Sequence, residues 1–382
     1  MNICYIASVR IPNEKASGLA IMRQCEAFAK IGNDVVLLRP YRSNHITEDP
    51  FVFYGIEKIF AIQTMSSFDF HQSLDVLGFY IARLSQMVSS FFYILKNTKS
   101  IDIVYARDPW MLFLPTLLLR QKKIIWEAHQ MQKGWVVRCV ARRVQLLVCI
   151  SKGLQNYYAE FRKDKRILVE PSGVNIEQFQ NLPSVEDVRV RYGVPLDKKV
   201  IGYTGKYTTM GEGKGVDELI EAFALVSQKY QHLYLLIVGL EDTEMEVVKM
   251  VCQKNGIADD KYTLLPLIQK DFALYVHMAD ILVMNYPNTE HYRNYMSPTK
   301  LFAYMASKKL IIASDLPSVR EIVDESMVIF EGSDSSYDLV KAIIFAVSIN
   351  KHTFIQATFS KVKDFVWNVR AEKILKQINT SV

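Results

Sequence analysis

The alternation of apolar and polar stretches predicts two successive α/β domains. From residue 2 to residue 169, short apolar runs with the length of buried strands alternate with segments whose apolar residues recur at helical spacing. A second series of the same kind runs from Val200 to Phe330. The stretch 176–198 between them is polar, contains two prolines and shows no clean apolar period. We interpret it as the crossover between domains.

The first series begins as a β-strand, an α-helix and a second strand, which indicates a parallel sheet with a right-handed crossover. Its predicted strands are Asn2–Ala7, Asp34–Pro40, Ile101–Ala106, Lys123–Trp126, Val144–Ile150 and Ile167–Val169, and Phe51–Ile62 also has β character. Its predicted helices are an amphipathic one around Ile21–Ala29, then Leu77–Leu95, Trp110–Leu119 and the basic segment Lys133–Arg143. That basic helix either faces a membrane or is a solvated helix with one core face.

The second series repeats this pattern. Its predicted strands are Val200–Thr204, Leu233–Val238, Thr263–Leu267, Ile281–Asn285, Leu310–Ala313 and Met327–Phe330. Its predicted helices are Val216–Lys229, Glu244–Asn255, Phe272–Met278, Thr299–Ser307 and two C-terminal stretches, Tyr337–Ile349 and Thr353–Ile378. The expected fold is therefore α/β, with two doubly wound sheets facing across a cleft. Ligands of such sheets bind at the carboxyl ends of the strands.

The stretch Met296–Glu321 contains a candidate anion site. Ser297 is predicted to be the N-cap of a helix and Pro298 its first residue, followed by Thr299 and Lys300. The unpaired N–H groups at a helix start attract phosphate. We therefore expect this turn to bind a diphosphate.

Two lysines flank one loop at the start of the second series. Lys206 follows the predicted strand that ends at Thr204, and Lys214 lies just before the next helix. Two such cations can neutralise a diphosphate leaving group without a metal ion. The alternative is an ordinary loop with solvated lysines.

Polar residues also follow the predicted strands of the first series. His129 follows the strand that contains Trp126, and it is expected to hydrogen-bond a sugar hydroxyl or to lie near the reacting centre, unless it is a structural histidine. Arg107 and Asp108 end another strand and are candidate acceptor contacts, or else a local ion pair. Gly18, at a loop–helix junction, would allow a ligand close to the backbone, although an ordinary loop glycine fits as well.

Composition and missing motifs exclude several classes of protein. The sequence has no Asp-x-Asp, no P-loop and no Gly-x-Ser-x-Gly, and Gly18 is the only glycine before Gly32, so a nicotinamide-binding motif is missing. The seven histidines do not lie at ligand spacing, so no metal site is expected. The five cysteines are scattered without a CxxC pair, which fits a reducing compartment. No leader pattern and no bilayer-spanning run is recognised.

The charge is unevenly distributed. Residues 1–170 contain 23 Lys and Arg against 14 Asp and Glu, whereas the remainder contains 23 against 26. The basic first part predicts an anionic membrane surface or a phosphorylated acceptor as partner, or simply a solvated basic face. Nucleic acid is not an expected partner.

Taken in order, these segments resemble the retaining glycosyltransferases of the GT-B fold, in the family 4 group (glycosyl transferases group 1). The resemblance covers nearly the whole chain and is strongest between Gly202 and Glu321. The matching segments are GYTGK, KGVDELIEAF, LLIVG, HMADILVMNY and SPTKLFAYMASKKLIIASDLPSVREI. In addition, VCISKGL and SGVNIEQF match earlier family segments, and Trp367 is similar to a final segment that returns to the first domain.

The resemblance implies metal-independent transfer of a sugar from a nucleotide diphosphate donor, with retained anomeric configuration and no cofactor. It implies catalytic roles for His129, Lys206 and Lys214. The implied donor-binding residues are Gly18, Gly205, Lys206, Lys214, Leu265, Leu267, Ser297, Pro298, Thr299 and Lys300. The implied domains are an acceptor-binding domain over 1–180, a nucleotide-sugar-binding domain over 181–362 and a returning helix over 363–382.

One departure from the family pattern leaves alternatives open. Two glutamates that the family places around this helix are replaced here by Tyr295 and Ala303, and the second normally binds the donor ribose. Loss of such a contact costs about 1.5–3 kcal/mol of binding free energy. The alternatives are a non-catalytic GT-B scaffold or partner subunit, and a GT-B sugar-nucleotide epimerase.

The expected acceptor is a glycan or lipid-linked glycan of the cell surface. The expected location is the cytoplasm, or the inner face of the plasma membrane as a peripheral protein.

Overall fold

The chain forms two compact units, seen in a computed structural model that describes residues 1–68, 75–162, 164, 166–209, 212–332 and 335–380. The first unit comprises Met1–Gly173 together with Trp367–Val382, and the second comprises Val174–Val366. The expected boundaries, after residues 180 and 362, lie within the second unit.

The first unit contains a seven-stranded parallel sheet in the order β3-β2-β1-β4-β5-β6-β7. The strands are β1 (Asn2–Ile6), β2 (Asp34–Pro40), β3 (Ala61–Met65), β4 (Ile103–Ala106), β5 (Lys123–Ala128), β6 (Leu146–Cys149) and β7 (Ile167–Val169). The helices among them are α1 (Ala16–Lys30), α2 (Pro50–Tyr54), α3 (Asp75–Lys96), α4 (Pro109–Leu118), α5 (Trp135–Arg143) and α6 (Lys152–Ala159). Every residue of β4 and β6 is buried, as expected for strands covered on both faces.

The second unit contains a six-stranded parallel sheet in the order β12-β11-β8-β13-β14-β15 and a two-stranded hairpin. The strands are β8 (Lys199–Thr204), β9 (Thr208–Thr209), β10 (Glu212–Gly213), β11 (Leu233–Val238), β12 (Tyr262–Leu265), β13 (Ile281–Met284), β14 (Leu310–Ser314) and β15 (Ile329–Glu331). The helices are α7 (Val185–Tyr192), α8 (Val216–Lys229), α9 (Asp242–Lys254), α10 (Phe272–Met278), α11 (Thr299–Ala306), α12 (Pro317–Arg320), α13 (Ser336–Ser348) and α14 (His352–Val362). Single turns lie at Glu177–Phe179, Asp259–Lys261, Gln269–Asp271, His291–Tyr295 and Lys363–Phe365.

These two sheets confirm the predicted α/β class with two doubly wound halves. In the second sheet, β8 is central, with β11 on one side and β13 on the other. The strand order changes direction at β8, and such a switch point is where open α/β sheets bind ligands.

The β interpretation of Phe51–Ile62 is wrong over its first part. Residues Pro50–Tyr54 form α2, whose first N–H groups are capped by the Asp49 side chain, which accepts a hydrogen bond from Phe51 N at 2.8 Å. An Asp-Pro pair favours a helix start, and Phe51 and Tyr54 are buried three residues apart. Only Ala61 and Ile62 of the predicted range belong to a strand.

The crossover stretch 176–198 contains a helix that the sequence did not predict. α7 is capped by Ser184, whose side chain accepts a hydrogen bond from Asp187 N at 3.0 Å. Only Val188 and Arg189 of this helix are buried, so an apolar period is missing. Arg189 anchors it instead, by donating to the carbonyl of Met278 at 2.8 Å and pairing with Asp280.

The last helix, α15 (Trp367–Asn379), packs against α1 in the first unit. Its Arg370 is 1% exposed, donates from Nε to the carbonyl of Pro171 at 2.7 Å and pairs with the fully buried Glu127 at 3.1 Å. Arg370 also contacts the side-chain oxygen of Gln24. This buried pair therefore connects the C-terminal helix to β5.

We expect Arg370→Met to destabilise the first unit by about 3–5 kcal/mol, because it leaves the Glu127 carboxylate buried with one partner fewer. All four tryptophans belong to this unit, so urea unfolding followed by tryptophan fluorescence reports on it alone. The matched control is Lys376→Met on the same helix, whose side chain is exposed and whose replacement should cost less than about 1 kcal/mol. Equal losses in the two variants would contradict the anchoring role.

Candidate functional site

Two glycines bring neighbouring strand ends of the second sheet together. Gly205 follows β8 and donates from its N–H to the carbonyl of Val238, the last residue of β11, at 2.7 Å. Gly239 follows β11 with φ +112°, and a Cβ placed on it would lie 2.7 Å from the carbonyl oxygen of Gly205. The close contact of these loops therefore requires glycine at position 239.

The hairpin of β9 and β10 returns the chain from Lys206 to Lys214. The Lys214 N–H donates to the carbonyl of Tyr207 at 3.2 Å. Gly215, with φ +78°, then precedes α8 and lies directly against Asn285 at the end of β13, leaving no space for a side chain. Both flanking lysines are thus held beside the switch point of the sheet.

The start of α11 differs from the prediction. The helix begins at Thr299, its N-cap is Pro298, and no side chain caps it, so Ser297 is not the N-cap. Proline has no backbone N–H to donate, whether it is the N-cap or the first helical residue. The sequence pattern therefore placed the helix start one residue too early. Tyr304, one turn along α11, accepts a hydrogen bond from Thr204 N at 2.9 Å and so fixes the helix to the end of β8.

The amine of Lys300 is buried without an anionic partner. The side chain is 8% exposed, and Nζ lies 3.7 Å from the centroid of the Tyr203 ring and 5.1 Å from that of Tyr286. Among the described residues Nζ has no hydrogen-bond partner. Burial, and then the charge of Lys214, lower the pKa of Lys300 well below its ordinary range.

Lys206 and Lys214 are more accessible. Lys206 Nζ pairs with Glu241 at 2.7 Å on the surface, and this hydrogen bond lowers the pKa of Glu241. Burial, and then the charge of Lys206, lower the pKa of Lys214. The charge of Lys206 thus acts on Lys214 and that of Lys214 on Lys300, although Glu244 partly offsets the first effect, so the three lysines form a positively charged site suited to a polyanion.

The remaining predicted donor residues lie at the end of β12 and in α11. The carbonyl of Leu265 accepts a hydrogen bond from Gly239 N at 2.9 Å, while Leu267 and the neighbouring Ile268 are largely exposed. This loop therefore offers apolar surface for a flat ring. Ala303 is 5% exposed and carries no polar group, so it cannot replace the hydroxyl-binding glutamate of the family pattern.

The first unit places His129 in a buried charged cluster. Glu127 and His129 share one face because strand side chains alternate, and His129 Nε2 contacts the Glu127 carboxylate, which Arg107 Nε also approaches at 3.0 Å. Tyr105 donates its hydroxyl proton to the same carboxylate. Burial would raise the pKa of Glu127, but Arg370, Arg107 and His129 hold it well below its usual range.

His129 is held neutral in this cluster. Its side chain is 31% exposed. Burial and the charge of Arg107 lower its pKa to about 4, although Glu127 acts in the opposite direction. A neutral imidazole can donate to and accept from sugar hydroxyls, so the predicted role of His129 is chemically possible and stays a prediction.

Two other residues of the first unit that were predicted to bind substrate, Asp108 and Gly18, make contacts within the protein. Asp108 pairs with Arg83, and it caps α4 by accepting from Trp110 N at 3.0 Å. Its predicted acceptor role therefore competes with a structural one. Gly18 lies in the first turn of α1, where Asn13 and Tyr54 occupy the space of a side chain. The glycine allows this internal contact, and donor binding by Gly18 stays a prediction.

Sequence reasoning missed several residues of both sites. Glu127 lies two positions before His129 in a strand, so the alternation of side chains was an available indication. Tyr203 lies inside the GYTGK segment, but nothing in the sequence indicates that its ring contacts Lys300. Arg370 could not be found because its partners are distant in sequence. No cluster of three or more metal-ligating side chains occurs in the part of the chain that the structure describes.

Comparison with known protein families gives a match within the second unit. Residues 198–348 match the sequence model of the family described as Glycosyl transferases group 1. No curated protein sequence matches the chain.

Solved structures show that the whole chain has the GT-B fold. A glycosyltransferase from Rickettsia africae ESF-5 is similar with a TM-score of 0.76 and 18% identity, over 100% of this chain and 98% of that one. Sucrose-phosphate synthase from Thermosynechococcus elongatus gives 0.76 and 15%, over 99% and 98%. HepE from Anabaena, in complex with UDP and glucose, gives 0.72 and 14%, over 100% of both chains.

We expect His129 to titrate at about pH 4 rather than at the ordinary 6.5. Between these two pH values the folded state then binds fewer protons than the unfolded chain. The contribution of His129 to the free energy of unfolding is therefore complete above pH 6.5, and it is lost as the pH falls towards 4. Histidine NMR titration, with the His129→Gln variant to assign the signal, measures the midpoint. A midpoint at or above 6.5 would contradict the described cluster.

Proposed function

We propose that this protein transfers a sugar from a nucleotide diphosphate donor to a glycan or lipid-linked acceptor, with retention of anomeric configuration. The observation that carries the proposal is the buried amine of Lys300, which has no hydrogen-bond partner in the described ranges and lies beside Gly205 and Lys214. A diphosphate bound there would supply the missing negative charge. The family match over residues 198–348 supports the same assignment.

Electrostatics favour a diphosphate at this position. At an effective dielectric constant of about 20, two unit charges 4 Å apart attract by about 4 kcal/mol. The donor's diphosphate carries more negative charge after the bond to the sugar breaks, so the lysines stabilise the leaving group more strongly than the bound donor. Lys206, Lys214 and Lys300 supply this charge themselves, which supports a metal-independent reaction.

On donor binding, Lys206 would leave Glu241 and pair with the diphosphate. Its present partner Glu241 is fully exposed, and pairs of that kind contribute little to stability. A diphosphate can therefore displace the carboxylate at low cost. Because Glu241 also forms the capping box of α9 with Glu244, it stays in place after Lys206 has turned to the donor.

We propose that retention proceeds by attack on the same face of the sugar. The acceptor oxygen forms a bond to the anomeric carbon, the bond from that carbon to the phosphate oxygen breaks, and the leaving phosphate accepts the acceptor's proton. No enzyme nucleophile is assigned to this step. The backbone of Leu265 and Leu267 is proposed to hold the base, and Ser297, Pro298 and Thr299 to face the phosphates. The base is proposed to be uracil, since HepE binds UDP.

The charge of the chain indicates the acceptor and the location that we propose for the reaction. The basic first part of the chain suits an anionic acceptor or membrane surface. No helix within the described ranges is long and apolar enough to cross a membrane. We propose a role in cell-surface glycan or glycoconjugate synthesis, on the cytoplasmic side.

A second candidate is a non-catalytic partner subunit, which the buried methyl group of Ala303 favours. Both candidates predict donor binding, so turnover separates them. Release of UDP from UDP-sugars supports an enzyme, whereas UDP binding without hydrolysis or transfer over a panel of UDP-sugars supports the partner subunit.

We expect Lys300→Met to weaken UDP binding by one to two decades, because a charge-assisted contact worth about 1.5–3 kcal/mol is lost. The same change should leave the unfolding free energy unchanged or raise it, because it removes a buried amine without a partner. Isothermal titration calorimetry and thermal unfolding measure the two effects. The control is Lys229→Met at the exposed end of α8, which should alter neither. Unchanged UDP affinity in Lys300→Met would sink the diphosphate assignment.

A further inference from the structure

Helix α3 presents apolar side chains to solvent. Six of them recur at intervals of three or four residues and are exposed, and they are Leu77, Tyr80, Leu84, Val88, Phe92 and Leu95. We name this set the α3 apolar face. Leu77 and Phe92 are each 61% exposed. On the opposite side of the same helix, Gln86 and Ser90 are fully buried, and Gln86 donates to the carbonyl of Ala7.

An ordinary surface helix turns polar side chains to water, whereas α3 is apolar on both sides, since Ala82, Met87, Phe91 and Ile94 are also buried. A continuous exposed apolar surface of this kind marks a site of contact with a partner or a membrane. Folding of the first unit does not require it, since the buried side of α3 already packs on the sheet.

The apolar surface continues from α3 across α4 to α5. Helix α4 packs against both neighbours, with Arg83 of α3 lying 5.0 Å from the ring of Trp110 and Phe113 lying 5.2 Å from the ring of Trp135. Trp135 is 68% exposed, and Leu118 at the end of α4 is 61% exposed. An exposed tryptophan is typical of the boundary between water and lipid, because its ring is apolar and its N–H is polar.

The charges around this surface are almost all positive. The basic side chains of α5 and its preceding loop, Lys133, Arg138, Arg142 and Arg143, are exposed. None of them pairs with a carboxylate in the part of the chain that is described. Residues 76–159 contain twelve Lys and Arg but only three acidic residues. Of these three, Asp108 pairs with Arg83 and Glu127 with Arg107.

We propose that the α3 apolar face and the basic residues of α5 bind the surface of an anionic phospholipid membrane. The apolar side chains would enter the boundary of the acyl chains while the arginines contact the headgroups. A bilayer supplies both an apolar interior and an excess of negative charge. A second copy of this chain packed by a two-fold axis on the same surface would bring the arginines of both copies together, which disfavours a dimer.

This inference goes beyond the proposed sugar transfer and does not depend on it. The sequence indicated a membrane only through the positive charge of residues 1–170 and of the segment that forms α5, whereas the structure adds the exposed apolar face of α3. Helix α3 has 22 residues and is not apolar enough to span a bilayer, so it would lie along the membrane surface.

Co-sedimentation of the full chain with lipid vesicles tests the proposal. We expect binding to vesicles of phosphatidylcholine mixed with phosphatidylglycerol, little binding to phosphatidylcholine alone, and weaker binding in high salt. The double variant Leu84→Gln/Phe92→Gln should bind on the order of tenfold more weakly. The triple variant Arg138→Gln/Arg142→Gln/Arg143→Gln should bind on the order of 100-fold more weakly at low salt.

The matched control is Leu225→Gln/Phe345→Gln, which replaces two exposed apolar side chains of the second unit and should leave vesicle binding unchanged. Tryptophan fluorescence for the first-unit variants, and thermal unfolding by circular dichroism for all variants, establish that each is folded, and the arginine variant tests the proposal even if the α3 variant unfolds. Equal binding to both kinds of vesicle, or full binding by both variants, would overturn the proposal. A dimer in solution that dissociates in the α3 variant would also overturn it, in favour of a second copy.

Discussion

The Lys300 amine is buried with no hydrogen-bond partner among the residues that the structure describes, and such burial costs free energy that the rest of the second unit must offset. Several contacts hold the amine in place. Tyr304 fixes α11 to β8, the ring of Tyr203 lies over the amine, and Gly205 has no side chain that would displace it. A diphosphate at the proposed site would therefore meet an amine that is already in place, which lowers the reorganisation needed on binding.

Most of the architecture could be predicted because buried parallel strands are continuous apolar runs. Residues 310–313 were predicted as a strand on this basis and form most of β14, and β7 coincides with its predicted range. The lysine loop was predictable as well, since a parallel strand followed by a helix brings its loop to the ligand-binding edge of the sheet. These features depend on residues that are close together in the sequence.

The remaining features depend on contacts that local patterns do not contain. The sequence places Lys300 at a helix start, but only the packing of Tyr203 and Tyr286 shows that its amine is buried. The cluster around Glu127 is completed by Arg370 from the last helix, far away along the chain. A helix that is apolar all round, such as α3, could not be divided by periodicity into its buried and exposed sides.

Proton uptake on UDP binding tests most directly whether Lys300 is the cation of a diphosphate site. Because the pKa of Lys300 is well below its ordinary range in the free protein, a bound diphosphate should raise it and draw a proton onto the amine. Calorimetric titration with UDP over a series of pH values above neutral, in buffers of different ionisation enthalpy, measures that proton. We expect net uptake in the natural protein and its loss in Lys300→Met. Identical binding enthalpies in all buffers, or the same uptake in the variant, would contradict the account.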